Sequence, residues 1–399
     1  MDSNERDFTK EPSFKDRFLA KVKKEIVLVI SILAALVALL IARPEESIGR
    51  FIDWRTLAIL FCLMLVVGAL RNMGVLESLA KALINRTKTL RGLILVLLIV
   101  TFLLSMFITN DVALITFVPF SIAVLTIVGK GELMILLVVL QTIAANLGSM
   151  LTPIGNPQNL FLYGLAGMKA GEFVLLMLPY TLVSLGIIIA CVMGVKNSRT
   201  ASMVSINTAT EDGIKDEERA SSKWFLRKPK FYVLVILFLM AVLTVAHLIP
   251  LWITFVVICL CVLIMDFKAF KKVDYSLLAT FIFLFIFVGC MKEIDAFAGF
   301  LGNLVEGNEM LTGLASSQII SNVPAAILLS GFTTAYKPLI VGVNIGGLGT
   351  LIASMASLIS FKYYAKVKGA KIGKYLGIFS LFNLLFLIVL WCLYMLINS

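Results

Sequence analysis

Apolar runs with few or no charged residues recur along this 399-residue chain, and they are long enough to cross a lipid bilayer. Clear examples are residues 26–42, 56–70 and 376–397. Hydrophobic residues make up 60% of the chain and charged residues 15%, whereas soluble domains average about 45–50% and about 25%. A soluble fold of this length cannot bury so much apolar side chain, which excludes soluble enzymes and nucleic-acid-binding proteins. The sequence therefore predicts an all-α polytopic membrane protein.

The composition also limits the chemistry that the chain can perform. It has one histidine, His247, and its six cysteines lie in apolar segments without the spacing of metal ligands. No nucleophile, paired acids or metal cluster is visible in the apolar runs. We therefore expect no catalytic residues, no cofactor and no nucleic-acid partner.

The only long polar stretch, residues 196–230, separates two halves of the chain. Two ungapped overlays relate these halves: residues 53–68 match residues 274–289, and residues 146–159 match residues 344–357. Polar matches inside apolar runs are rarely coincidental, so the overlays predict an internal repeat. A cytoplasmic segment is predicted at 1–24 and a cytoplasmic linker at 196–230. The first repeat covers 25–195, with a hairpin at 90–129 and a broken helix at 132–166. The second repeat covers 231–399, with a hairpin at 312–332 and a broken helix at 334–362.

The distribution of basic residues predicts the orientation in the membrane. If both hairpins are re-entrant, meaning that each enters and leaves the membrane on one side, 29 of the 35 Lys and Arg residues fall on the same side. Loops rich in Lys and Arg face the cytoplasm. We therefore expect a cytoplasmic N-terminus, about nine crossings of the cell membrane and a C-terminus outside. The two hairpins then enter from opposite faces, which makes the repeats inverted.

Polar residues interrupt the apolar runs at four places that form two matching pairs. One pair is Thr109-Asn110-Asp111 and Ser321-Asn322, and the other is the stretches 146–159 and 344–357. Lipid cannot satisfy polar backbone groups, so such breaks are expected to line a cavity. Helix N-termini freed there attract anions and C-terminal carbonyls attract cations. Inverted repeats that meet at broken helices are typical of the site of a secondary transporter.

The candidate substrate- and ion-binding residues come from these four stretches. They are Thr109, Asn110, Asp111, Asn146, Thr152, Gly155, Asn156, Ser321, Asn322, Pro324, Asn344, Gly349, Thr350 and Ser354. Six of them are also candidate sodium ligands: Asn110, Asp111, Gly155, Ser321, Asn322 and Gly349. Structural alternatives stay open, because asparagine commonly occupies turns, proline kinks membrane helices, and a helix N-terminus can neutralise Asp111.

Four segments resemble the ion-transporter superfamily that contains arsenite-efflux permeases, NhaD-type sodium/proton antiporters, citrate permeases and divalent anion:sodium symporters. They are TNDVALITFVPF (109–120), ANLGSMLTPIGNPQNLFLYG (145–164), SNVPAAILL (321–329) and NIGGLGTLIAS (344–354). The resemblance implies a scaffold, a moving transport domain, an elevator-like motion and a homodimer. In the symporters a Ser-Asn-Thr motif at each hairpin tip holds a substrate carboxylate. Both tips here keep the Asn and lose the final Thr, which argues against dicarboxylate specificity. Asp111 at a tip would repel a bare anion, so we expect it to bind a coupling cation or a proton, which favours the arsenite-permease and NhaD-like branches.

Two transport hypotheses follow from these patterns. The first is a secondary active transporter that moves a small inorganic or carboxylate anion by alternating access, with sodium or protons as the coupling ion. The second keeps the fold but exchanges sodium for protons, with Asp111 as the one acid within residues 93–128. A membrane-embedded enzyme is less favoured because its catalytic groups are not visible. A passive channel is less favoured because duplicated broken helices suit an occluded site better than a continuous pore.

Overall fold

The computed structural model describes residues 25–44, 47–84, 87, 89–196 and 228–398. The predicted cytoplasmic segment 1–24 and almost all of the predicted linker lie outside the described residues. Within the described ranges the chain forms seventeen α-helices and three short 3-10 helices. This confirms the all-α class.

The helices fall into two groups on either side of the linker. The first group is α1 (Ile26–Ala42), α2 (Trp54–Asn72), α3 (Val75–Ile84), α4 (Leu90–Ile108), α5 (Asn110–Ile127), α6 (Met134–Ser149), α7 (Pro157–Ala166) and α8 (Ala170–Met193). The second group is α9 (Pro229–Val245), α10 (Leu251–Met265), α11 (Tyr275–Lys292), α12 (Asp295–Val305), α13 (Glu309–Ile320), α14 (Asn322–Ser330), α15 (Tyr336–Ile345), α16 (Met355–Ala365) and α17 (Ile372–Asn398).

Seven of these helices are long and apolar enough to cross a membrane: α2, α4, α5, α6 with the turn before it, α8, α11 and α17. Large apolar side chains also face outward. Leu40, Ile264 and Leu396 are 74%, 84% and 75% exposed. So much outward-facing apolar surface requires lipid around it, and the chain is therefore a multi-pass membrane protein. The number of crossings and the re-entrant path of the hairpins stay predictions.

Equivalent side chains begin equivalent helices in the two halves. Asp53 accepts a hydrogen bond from the backbone amide of Thr56 (3.0 Å) at the start of α2. Asp274 accepts one from the amide of Leu277 (2.9 Å) at the start of α11. Each cap satisfies an amide that the first turn of a helix leaves free. These two aspartates are the residues that the first sequence overlay pairs.

Helix packing is reciprocal between the halves. Helix α1 packs on α11, and α10 packs on α2. Helices α4 and α5 pack on α6, as α13 and α14 pack on α15. Helix α16 of the second half packs on α5 of the first, and α7 of the first half packs on α14 of the second. The short helix after each break thus covers the hairpin of the other half. Whether the two halves are inverted in the membrane stays a prediction.

Polar contacts also join helix ends that are far apart in the chain. Lys230 forms an ion pair with Asp266 (3.5 Å), and Asn72 donates a hydrogen bond to the same carboxylate (3.2 Å). Arg91 donates to the carbonyl oxygen of Val195 (2.8 Å). Of these residues, Lys230 belongs to the predicted cytoplasmic linker 196–230 and Val195 directly precedes it.

Candidate functional site

A single residue joins the two helices of each hairpin. Thr109 lies between α4 and α5 with φ 69° and ψ 148°, and Ser321 lies between α13 and α14 with φ 74° and ψ 153°. Residues other than glycine rarely adopt this conformation, which costs about 1–3 kcal/mol where the surroundings impose it. The same strained turn in both halves places Asn110 and Asn322 at the N-termini of α5 and α14.

Each hairpin tip is bonded to the broken helix of its own half. The amide of Asn110 donates to the carbonyl oxygen of Gly155 (3.2 Å), and the amide of Asn322 donates to that of Ala353 (3.0 Å). The second sequence overlay pairs Gly155 with Ala353. A polar backbone group at each tip is therefore satisfied in the same way in both halves.

Two threonine hydroxyls attach the breaks to the hairpins a second time. Thr152 donates to the carbonyl oxygen of Met106, and Thr350 donates to that of Gln318 (3.0 Å). Because Met106 and Gln318 lie in the last turns of α4 and α13, both bonds satisfy carbonyls that the helix ends leave free. Thr152 and Thr350 therefore hold the tips in position.

Two matching glycines allow close contact between each hairpin and its broken helix. A Cβ atom at Gly148 would overlap the carbonyl oxygen of Phe102 and lie 2.6 Å from the Oγ of Ser105 on α4. A Cβ atom at Gly346 would lie 2.8 Å from the Oγ of Ser317 on α13. A larger residue at either position would push the hairpin away from the break.

Buried asparagines connect the two halves at the breaks. The Oδ1 of Asn146 accepts hydrogen bonds from the Nδ2 of Asn110 (3.0 Å) and from the Oγ of Ser354 (3.1 Å). In the matching position, the Oδ1 of Asn344 accepts one from the Nδ2 of Asn156 (3.2 Å). Each asparagine thus bonds to the break of the other half, so that the two broken helices form one polar centre inside an apolar protein.

A cavity of about 320 Å³ opens beside this centre. The residues that line it come from the N-terminal ends of α1, α5, α7, α11, α14 and from α16. Its deep part is polar and buried, since Asn110, Gln158, Ser321 and Asn322 are at most 6% exposed. Its volume lies within the range of small-molecule sites, about 300–1,000 Å³. Because helix N-termini carry partial positive charge, the cavity can hold an anion.

Two side chains that line the cavity have a buried polar atom without a hydrogen-bond partner in the described part of the chain. One is Gln158, whose buried Nε2 is free, and the other is Asp111, whose buried Oδ1 is free. A buried donor and a buried acceptor without partners are costly. Gln158 therefore has an unused donor, and Asp111 an unused acceptor, in residues that line the cavity.

Gln158 is not among the site residues predicted from the sequence. Neither are Glu25, Asp274, Ser276 and Lys362, which line the same cavity. Glu25 and Asp274 directly precede α1 and α11, and Ser276 is the second residue of α11. Ser276 donates a hydrogen bond to Glu25. Polar residues at the ends of membrane spans usually contact water, so the sequence pattern did not indicate that these residues line a cavity. Gln158 could have been found as the second residue of the helix that follows the first break.

The predicted site residues separate into two groups. Those that line the cavity are Asn110, Asp111, Ser321, Asn322, Pro324 and Ser354. Those outside the lining are Thr109, Asn146, Thr152, Gly155, Asn156, Asn344, Gly349 and Thr350. Of the six candidate sodium ligands, Gly155 and Gly349 are in the second group, and the carbonyl of Gly155 already accepts the tip hydrogen bond. Sodium binding by any of the six stays a prediction.

Comparison with known proteins agrees with this architecture. The sequence profile of the citrate transporter family CitMHS matches residues 18–338. An uncharacterized transporter of Methanocaldococcus jannaschii is 32% identical over 90% of this chain and 94% of its own length. The inner membrane protein YbiR of Escherichia coli is 30% identical over 78% of this chain and 80% of its own. The silicon efflux transporter LSI3 of Oryza sativa is 36% identical over 34% of this chain and 28% of its own. The chain belongs to the citrate transporter family, within the superfamily that its hairpin and break motifs indicate.

Proposed function

We propose that the chain is a secondary active transporter that moves a small anion or oxyanion across the cell membrane by alternating access, coupled to sodium or protons. The observation that carries this proposal is the convergence of helix N-termini on one cavity. We further propose that it works as a homodimer with a cytoplasmic N-terminus and an external C-terminus. Membership of a transporter family supports transport rather than catalysis.

The chemistry of the cavity supports an anionic substrate. Helices α7, α14 and α16 have no acidic residue in their first turns, so their positive ends are available to a negative charge. The free Nε2 of Gln158 can donate to an oxygen of that anion. Citrate, the substrate in the name of the family, is an anion with several such oxygens.

Asp111 is our candidate for the coupling step. Asp111 lines the cavity together with Asn110 and Asn322, and its buried Oδ1 has no hydrogen-bond partner among the described residues. A carboxylate of this kind inside a membrane protein serves ion or proton pathways by default. Asp111→Asn should abolish a proton-coupled activity, whereas a sodium-coupled activity should survive in part.

Thermal unfolding of the purified protein tests the proposal. The protein is heated in sodium, potassium and choline salts at fixed ionic strength, with and without arsenite, sulfate, citrate and succinate. A ligand that binds only the folded state adds about 2.7 kcal/mol at a hundredfold excess over its Kd. We expect sodium-specific stabilisation that grows with one anion, or sodium-independent stabilisation that Asp111→Asn abolishes. Absence of stabilisation by arsenite, sulfate, citrate and succinate alike, with no tracer uptake into proteoliposomes, would contradict the proposal.

Gln158→Leu separates a binding role from a structural one. Because the Nε2 of Gln158 has no partner among the described residues, its removal should leave the unfolding temperature unchanged or higher. Anion uptake should nevertheless fall by about tenfold, because the variant loses one hydrogen bond to a charged ligand. A variant that unfolds early and transports normally would show that Gln158 serves the fold.

The free oxygen of Asp111 also favours a second candidate, sodium/proton exchange on the same fold. Stabilisation by sodium or lithium without any response to an anion would select it.

A further inference from the structure

The second break contains a carboxamide that comes from the neighbouring hairpin. The Nε2 of Gln318, near the end of α13, donates hydrogen bonds to the carbonyl oxygens of Gly346 (2.8 Å) and Leu348 (2.9 Å). Its Oε1 accepts one from the backbone amide of Thr350 (2.9 Å). A Cβ atom at Gly349 would overlap this Oε1, so the break closes directly around the carboxamide. Gln318 therefore satisfies carbonyls that lie beyond the end of α15, where no helix provides a partner.

The first break contains a carboxamide in the same role. The Nδ2 of Asn159 donates hydrogen bonds to the carbonyl oxygens of Met150 and Thr152, both at 3.3 Å. Its Oδ1 accepts one from the Nδ2 of Asn344 (2.6 Å). The second sequence overlay pairs Met150 with Leu348, so matching carbonyls accept a hydrogen bond from an NH2 group in both halves.

The internal repeat does not relate these two carboxamides. The residue of the first half that matches Gln318 is Met106, since each lies three residues before its hairpin turn. The residue of the second half that matches Asn159 is Ser357, whose buried hydroxyl has no partner among the described residues. Two unrelated positions thus bring the same group to matching carbonyls. This recurrence indicates that the carbonyls of each break need a positively polarised group rather than a particular residue.

Carbonyls in this arrangement are also what a bound cation would need. Each break follows the C-terminus of a helix, which carries partial negative charge and attracts cations. An ion that leaves water is unfavourable unless protein oxygens replace its hydration. In both breaks, however, a carboxamide NH2 group already bridges the carbonyls, and the carbonyls of Gly155 and Ala353 accept the tip amides. These groups do not fit a sodium ion between the carbonyls of either break.

We propose, on the basis of the transport function above, that the carboxamides of Gln318 and Asn159 take the place of bound cations, so that both breaks keep their shape without sodium. Gln318 is then a positioning residue: its amide holds the break, and its backbone carbonyl accepts the hydroxyl of Thr350. The coupling ion of the transporter is not a sodium ion held at a break. Any sodium that the protein binds lies outside the two breaks.

Exchanging the NH2 group for an oxygen tests this assignment. Gln318→Glu keeps an acceptor for the amide of Thr350 but turns a carboxylate oxygen towards the carbonyls of Gly346 and Leu348. These oxygens repel one another unless a cation lies between them. The unfolding temperature is measured in sodium and choline salts at a pH above about 7, where glutamate is ionised. Sodium should raise the unfolding temperature of Gln318→Glu above its value in choline by about 2–4 °C, the shift that one added interaction causes in a folded chain of a few hundred residues.

Two further variants show whether the response belongs to the break. Asn303→Asp is the matched control, because it makes the same change from amide to carboxylate at an exposed position of α12 and should gain no sodium response. Gln318→Met introduces the residue type that the first half carries there, and removes the donor without adding charge. It should lower the unfolding temperature equally in sodium and choline. Asn159→Asp repeats the test at the first break and decides the matter if Gln318→Glu does not fold.

Two results would overturn the proposal. One is sodium stabilisation of the native protein that Gln318→Met abolishes, because Gln318 would then be a sodium ligand. The other is a folded Gln318→Glu that responds to sodium no more than Asn303→Asp does. Tracer uptake of the four anions is measured separately. If Gln318→Glu gains the sodium response but no anion is taken up, the transport function fails while the role of the carboxamide stands. Uptake without the gained response shows the reverse.

Discussion

Replacing Asn146 by alanine tests whether the buried amide centre holds the two halves together. The side chain is 5% exposed. Its Oδ1 accepts hydrogen bonds from the Nδ2 of Asn110 at 3.0 Å and from the Oγ of Ser354 at 3.1 Å, and its Nδ2 donates to the carbonyl oxygen of Gly347 at 3.4 Å. Alanine removes all three contacts and fills none of their places.

The cost comes mainly from the two donors that lose their acceptor. A buried donor left unsatisfied costs about 1–3 kcal/mol, so Asn146→Ala should destabilise the protein by about 2–5 kcal/mol. Ser354→Ala alone should cost about 1 kcal/mol, because it removes one hydrogen bond and leaves an acceptor that Asn110 still satisfies. In the double variant no serine hydroxyl is orphaned, and the total loss should be smaller than the sum of the two.

Unfolding in mixed detergent micelles with increasing dodecyl sulfate measures these differences. Asn303→Ala is the control, because Asn303 is exposed on α12 and should change stability by less than about 0.5 kcal/mol. If Asn146→Ala and this control unfold at the same fraction of dodecyl sulfate, the two halves are not coupled through this amide. The same conclusion follows if the losses of stability in Asn146→Ala and Ser354→Ala are additive.

Three further predictions concern the hairpins and the loop after α9. Gly148→Ala should destabilise the protein by about 1–3 kcal/mol, because the added Cβ atom would overlap the backbone of α4. Gly186→Ala is the control, since a Cβ atom there would meet no other atom within 4 Å. Equal unfolding curves for the two variants would refute the close contact at Gly148. Thr109→Gly should raise stability by about 1 kcal/mol, because glycine relieves the backbone strain of the positive φ angle but loses more conformational entropy on folding. Thr109→Ala keeps the strain and should not raise stability. Burial and then the Arg55 guanidinium lower the pKa of His247, so the folded protein binds fewer protons there than the unfolded chain, and stability should fall as the pH drops below about 6.5. His247→Asn should flatten that dependence in a pH series of unfolding temperatures.

Much of the site could be found from the sequence because polar groups are conspicuous where the solvent is lipid. Asn110 and Asn322 interrupt apolar runs, and such interruptions persist only where the fold satisfies them. The internal repeat gave a second indication for each position, because the same residue type recurs in the other half. Thr152 and Thr350, which the overlay pairs, make the same hydrogen bond to a helix end. The sequence could not tell that these two threonines lie outside the cavity lining.

Residues at the ends of the spans could not be found in that way. Glu25, Asp274 and Lys362 look like ordinary interfacial charges, since a charge next to an apolar run is what any membrane helix carries. They belong to the cavity only because α1 packs on α11 and α16 packs on α5. That packing depends on contacts between residues far apart in the chain, which no local pattern records.

The membrane-embedded all-α class, the matched pairs of hairpins and breaks, and the superfamily could all be predicted from the sequence, because an unsatisfied polar group in lipid costs several kcal/mol. Which polar atoms bond to one another and which stay without a partner depends on the tertiary structure. Asn146 and Asn344 form hydrogen bonds across the halves, while the buried Nε2 of Gln158 and the buried Oδ1 of Asp111 have no partner among the described residues. The physical reason is that a hydrogen bond depends on separations of about 3 Å, and those are set by how the helices pack.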